Sequence, residues 1–151
     1  MRPAVIILVL AIVALAAAGL WFRIVPMPAA TWHVEPAEVP PPDRPNFDLR
    51  VGDGAPILPA SPAVVAARLE TIARADGARH IGGDAASGHV SYVVRSRLMG
   101  FPDAISIRLV PVAEGTRLEV FSRARFGYSD MGVNAARIDR WLAALRAQTA
   151  P

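Results

Sequence analysis

The chain has 151 residues, 53% of them hydrophobic, with 16 arginines, no lysine, 13 carboxylates and no cysteine, giving a formal net charge of +3. This length suits one ordinary domain plus an accessory segment, and the lack of cysteine excludes disulfides, thiolate metal sites, a cysteine nucleophile and lipid-modified cysteine. An excess of +3 is too small to argue for nucleic acid, and no aromatics interleave with the arginines as a nucleic-acid surface would require.

Ala4 to Phe22 is an uncharged apolar run of 19 residues between Arg2 and Arg23. As a helix it spans about 28 Å, close to the hydrocarbon thickness of a bilayer. Trp21 and Phe22 beside Arg23 form an interfacial anchor pattern. The rival reading is a cleaved secretory signal, with small residues at Ala14, Ala16 and Ala18. Under the anchor reading residues 4–22 contact the lipid bilayer, and the positive-inside rule puts the N-terminus in the cytoplasm. The expected location is a bacterial inner membrane, crossed once, with the C-terminal domain in the periplasm.

Val25 to Pro45 carries seven prolines in 21 residues, which predicts an extended spacer holding the domain off the membrane, with Trp32 and Val34 either docking on the domain or lying at the bilayer surface. The expected division is an anchor over 1–24, a proline-rich linker over 25–45 and a domain over 46–147. Within the domain, Phe47, Leu49 and Val51 alternate with polar residues as in a short strand. Ser61-Pro62 opens a helix whose Val65, Leu69 and Ile72 share one face before Gly77. A brief strand is expected over 79–81, then three longer ones near 89–98, 104–112 and 116–123. A final helix follows Asn134 as N-cap, with Ile138, Trp141, Leu142 and Leu145 as its buried stripe. The fold class is α+β: an N-terminal transmembrane helix, then a two-layer domain with an antiparallel sheet and two helices on one face.

A register that keeps apolar positions together sets Leu98 against Ile105 and Leu109 against Val120. It places Arg95 opposite Arg108, and it gathers Arg95, Arg97, Arg108, Arg117 and Arg123 on the other face with Glu119. That face reads either as a solvated surface with local ion pairs or as a receptor for anionic lipid headgroups, an acidic polymer or an acidic protein surface. The loop from Arg123 to Asn134 has two readings as well. Backbone N–H groups at the helix start could join Arg123, Arg125 or Arg137 around an anion. Structurally, Asn134 would cap, Gly127 and Gly132 would turn, Tyr128 would pack with its hydroxyl bonded, and Asp130 would neutralise a nearby arginine or the helix start.

Two segments carry a family resemblance. SRARFGYSDMGVNAARID, Ser122 to Asp139, resembles the C-terminal signature of the bacterial and plastid domain-of-unknown-function family 1499, and RSRLMGFPDAISIR, Arg95 to Arg108, resembles its central arginine and Phe-x-Asp-Asp segment. The likeness covers roughly residues 30–147. Members commonly carry two adjacent aspartates where this chain has Asp103 and Ala104, and many carry a cysteine near the domain start that is missing here. The resemblance implies a fold and its boundaries, and it implies no reaction.

His33, His80 and His89 lack metal-ligand spacing, although His80 and His89 are placed to meet across the turn at 82–88. Asp103 beside Arg108, and Ser129 beside Asp130, lack the third, orienting group that catalysis requires. The sequence therefore points to a binding module without catalytic residues, metal or cofactor. Its candidate ligand- or partner-binding residues are Arg95, Arg97, Arg108, Arg123, Arg125, Tyr128, Ser129, Asp130, Asn134 and Arg137. The expected partners are anionic lipid headgroups or an acidic subunit of a membrane complex, and not nucleic acid. The alternatives are an accessory subunit attached through the 4–22 helix and an enzyme of unknown substrate.

Overall fold

The computed structural model describes residues 2–149. The apolar run lies within helix α1 (Pro3–Ile24), with Pro3 in the first turn, where a missing N–H leaves no bond unmade. None of its residues is buried, and among the described residues it is the one helix long and apolar enough to cross a membrane. Those properties fit an anchor or a signal sequence alike.

Next come a single helical turn, α2 (Ala29–Trp32), and then β1 (Phe47–Arg50), β2 (Ile57–Leu58), α3 (Pro62–Ala75), β3 (Arg79–Asp84), β4 (His89–Arg95), β5 (Pro102–Val112), β6 (Gly115–Ala124) and α4 (Val133–Thr149). The antiparallel sheet runs β1-β6-β5-β4-β3, with β2 also pairing onto β6. Ser61 caps α3 by accepting from Val64 N–H, and Pro62 occupies the first turn.

One face of the sheet meets the two long helices. Val90, Tyr92, Val94, Ile105, Ile107, Leu118 and Val120 pack against Val65 and Leu69 of α3 and Ile138, Trp141 and Leu145 of α4. Each large aliphatic side chain so buried contributes roughly 1.5–3 kcal/mol. The α+β architecture expected from the alternation is the one observed.

Two expectations about pairing need correction. Ile105 faces Tyr92 and not Leu98, and Leu109 faces Leu118 and not Val120. The β4 strand ends at Arg95 because Ser96 closes a turn: its N–H donates to the Phe101 carbonyl, and its hydroxyl accepts from Phe101 N–H. Gly100, at φ 78°, makes that turn possible. Arg95 therefore faces Pro102, Arg108 faces His89, and Arg97 lies in the turn outside the strands. Both errors are even-numbered slips, so each side chain that lies in a strand stays on the face assigned to it, whereas Arg97 and Leu98 leave the sheet for the turn.

The final helix also departs from expectation. Asn134 sits inside the first turn of α4 and is fully buried. Asp130 does the capping, accepting from Gly132 N–H at 3.1 Å and from Asn134 N–H at 2.9 Å.

The largest departure concerns residues 25–38. They do not hold the domain away from α1; they lie as a strap across the second face of the sheet. Val25, Met27 and Pro36 are buried there, and Met27 and Trp32 pack with Val93 and Ala104. A proline-containing segment outside the sheet has fewer N–H donors than carbonyls, so its carbonyls need donors from whatever it covers.

Candidate functional site

The arginines of the second sheet face supply those donors. Arg95 donates to the Phe22 and Val25 carbonyls, Arg125 to the Pro26 carbonyl, and Arg123 to the Trp32 carbonyl at 2.8 Å. Arg108 pairs with Glu35, its Nε donating at 2.8 Å. Arg117 pairs with Glu119 at 3.1 Å. The open cationic surface expected from the sequence is thus covered, because the strap brings its own carbonyls and one carboxylate.

Arg123 is only 8% exposed and meets no carboxylate within 4.0 Å among the described residues. Its guanidinium lies 4.4 Å from the Phe121 ring centroid and 5.3 Å from that of Trp32, and it donates to Ser106 Oγ and the Phe121 carbonyl. Burial lowers its pKa to about 10, which leaves it charged at neutral pH.

Beside it lies a cluster that spacing did not reveal. The His33 and His89 rings stack with centroids 3.9 Å apart. Ser91 donates to Ser106 Oγ at 2.9 Å, and Ser106 donates to the Trp32 carbonyl at 3.1 Å. Ser91 therefore accepts from His33 Nδ1 at 2.8 Å, which fixes His33 as the Nδ1–H tautomer. His89 Nε2 donates to the Val34 carbonyl at 3.0 Å. His89 meets His33, and His80 turns instead to the Gly83 carbonyl. Both serine hydroxyls belong to residues with no exposed surface, so no substrate carbonyl reaches them. The hint available in the sequence was Gly82-Gly83: a Cβ on Gly82 would lie 2.8 Å from His33 Cβ.

The loop residues divide into buried and exposed groups. Arg137 is 5% exposed and donates to Asp103 Oδ2 at 2.8 Å and to Asn134 Oδ1 at 3.0 Å. Asp103 thus faces Arg137 and not Arg108. Burial raises the Asp103 pKa, with the Arg137 charge and hydrogen bond pulling it back. Asn134 also accepts from Ser122 Oγ, so Arg137 and Asn134 are held in the interior and cannot reach an external anion. Tyr128 is exposed, and Ser129 Oγ accepts from Met131 N–H in the adjoining turn.

A cationic opening remains where α1 meets the domain. Arg23, Arg79 and Arg95, with Gly77, Val93 and Ser96, line a pocket of about 280 Å³. None of its lining residues is acidic, and among the described residues none of the three arginines has a carboxylate within 4.0 Å. Burial, and then the charges of Arg79 and Arg125, lower the Arg95 pKa. Arg23 is held in place by donating to the Arg97 and Leu98 carbonyls at 3.1 and 2.7 Å. Arg97 itself is exposed beside it. Of the arginines singled out from the sequence, Arg95 lines this opening while also donating to the strap, Arg97 is exposed next to Arg23, and Arg108, Arg123, Arg125 and Arg137 serve the interior or the strap.

Residues 34–145 match the family model described as a protein of unknown function, DUF1499, and the chain belongs to that family. No curated protein and no solved structure matches the chain.

Proposed function

We propose that this member of DUF1499 is a single-pass, non-catalytic binding module on the periplasmic side of a bacterial inner membrane, and that it takes a phosphate-bearing anionic lipid headgroup between Arg23, Arg79 and Arg95. The carrying observation is the position of that acid-free pocket at the end of the apolar helix. With α1 across a bilayer, Trp21, Phe22 and Arg23 fall at the headgroup level, where a guanidinium cluster attracts anionic phospholipid. Arginine suits this role because its planar fork can bind two phosphate oxygens at once. Arg95 has both terminal nitrogens partly engaged, one by the Phe22 carbonyl of α1 and one by the Val25 carbonyl of the strap, so it is preorganised and keeps donors to spare.

The test uses the full chain in a neutral detergent, titrated with phosphatidylglycerol, phosphatidylcholine and inorganic phosphate and followed by native mass spectrometry. Retention of one phosphatidylglycerol, weakened several-fold in Arg79→Gln, supports the assignment. Equal retention of phosphatidylcholine would overturn it, and saturation by phosphate alone would replace the lipid with a free anion. Arg79 is exposed, so its replacement does not threaten the fold.

A further inference from the structure

The end of the domain nearest α1 carries apolar side chains that nothing among the described residues covers. Leu98 is 84% exposed, Met131 94% and Tyr128 69%. They come from two segments, the 96–101 turn between β4 and β5 and the 125–132 loop between β6 and α4, which emerge at the same end of the sheet. Met131 is held outward by a left-handed backbone, φ 52°, among the described residues the one such conformation outside glycine. Between the segments lies a cleft of about 350 Å³ walled by Phe101, Phe126, Met131 and Val133, with Asp103 and Asp130, engaged by Arg137 and by the α4 N-terminus, also in its lining. A patch of this kind on a soluble surface is a liability unless it has an occupant.

Its position relative to α1 identifies the occupant. Phe22 lies 4.3 Å from Phe101 and 5.2 Å from Phe126 between ring centroids, and Trp21 lies 5.4 Å from Phe126. The interfacial aromatics of the helix and the aromatics of the two segments thus share one level. Met99 reaches further, to Gly19, where an added Cβ would sit 3.9 Å from its methyl carbon. Gly19 precedes Phe22 by three residues, about 4.5 Å further into the apolar run. Gly100 is what lets the turn approach so closely, since a Cβ there would collide with Arg23. The exposed Arg97 and Tyr128 flank the apolar tips with groups that favour the headgroup layer.

We infer that the 96–101 turn and the 125–132 loop insert into the outer leaflet around α1, so that the domain sits in the membrane surface with Leu98, Met99 and Met131 among the upper acyl chains. The inference rests on α1 being a retained anchor, and it does not require the headgroup pocket. Insertion by the domain fixes its orientation and sets the pocket at phosphate depth, which a tether alone would not do.

The absence of cysteine makes the test direct. Single variants Leu98→Cys, Met131→Cys, Leu10→Cys and Ala86→Cys of the full chain are labelled with an environment-sensitive fluorophore and reconstituted into phosphatidylcholine vesicles, with or without nitroxide on the upper acyl carbons. Leu98 and Met131 labels should shift to the blue and lose emission to the nitroxide, while the label at the exposed far turn, Ala86, stays unquenched. If Leu10 is quenched and Leu98 and Met131 behave like Ala86, the inference falls and the anchor reading stands. If Leu10 escapes quenching as well, both fall. A blue shift at Leu98 and Met131 without quenching would assign the patch to another protein surface and also overturn the inference.

Discussion

Arg123 and Trp32, 91 residues apart, are joined by a 2.8 Å hydrogen bond from the guanidinium to the Trp32 carbonyl and by a 5.3 Å contact between cation and indole ring. The charge that the alternation of β6 points at the second face is therefore consumed in fastening the preceding segment. The same reasoning applies to Arg95, Arg108 and Arg125, each bound to a carbonyl or carboxylate from residues 22–35. A face that looks like a cationic receptor in the one-dimensional pattern is the receptor for the chain's own strap.

Replacing Arg123 by Met keeps the aliphatic stack between Phe121 and Trp32 and removes the donors. The Trp32 carbonyl loses its charged donor, and the cost is about 1–3 kcal/mol. A denaturant midpoint shift of that size is expected, together with faster hydrogen exchange over residues 27–36. If exchange in the strap stays as in the parent chain, the guanidinium is not what holds it.

Gly82→Ala tests the strap from the opposite side. The added Cβ would meet His33 Cβ at 2.8 Å, His33 Cγ at 2.9 Å and Ala29 Cβ at 3.3 Å. Overpacking of that severity costs typically 1–3 kcal/mol, and the strap can escape it by lifting. Tryptophan fluorescence should then report a wetter Trp32, while Trp141, hydrogen-bonded to Asp76 beneath the sheet, keeps its environment.

Strap closure should also depend on pH. The His33 pKa is lowered from 6.5, first by burial and then by the nearby His89 and Arg108, with Glu35 opposing. The folded state thus binds a proton at His33 less readily than the open chain does. This contribution is complete above about pH 6.5 and is lost as the pH falls below it. Glu35, whose pKa is lowered first by its hydrogen bond from Arg108, acts with the same sign below 4.5. Hydrogen exchange of residues 27–36, corrected for intrinsic rates, should quicken between pH 7.5 and 5.5 in the parent chain. The change should vanish in His33→Gln.

Much of this was legible and some was not, for physical reasons. Strand alternation reports only which face a residue occupies, with a period of two, and that parity survived both register slips. Helix stripes at Leu69 and at Trp141 carried the core correctly because amphipathic periodicity is local. The strap has no period. Prolines mark it as non-helical, but its partners lie up to about 99 residues away in the chain, beyond any local signal. The buried Arg137 was hidden for a similar reason: its mate Asp103 is 34 residues upstream, and an arginine in a helix looks solvated until the tertiary contact is known. Asn134 and Asp130 both carry capping side chains, and the choice between them turned on a four-residue loop path that composition does not encode.

The Arg137–Asp103 pair gives the sharpest energetic expectation. Arg137→Met removes the one group that holds the buried Asp103 carboxylate down, since burial already raises its pKa and Arg137 opposes that. An uncompensated buried carboxylate costs about 3–5 kcal/mol when its partner is deleted. In the variant the carboxyl should take up a proton more readily, which neutralises the stranded charge, so the loss should be smaller near about pH 5 than near about pH 8. Adding Asp103→Asn should restore part of the lost stability at the higher pH. Urea denaturation of the two single variants and the double variant at both pH values checks this. Equal destabilisation by Arg137→Met at the two pH values would mean that Asp103 stays charged without its partner, and that the pair is held by packing and not by charge.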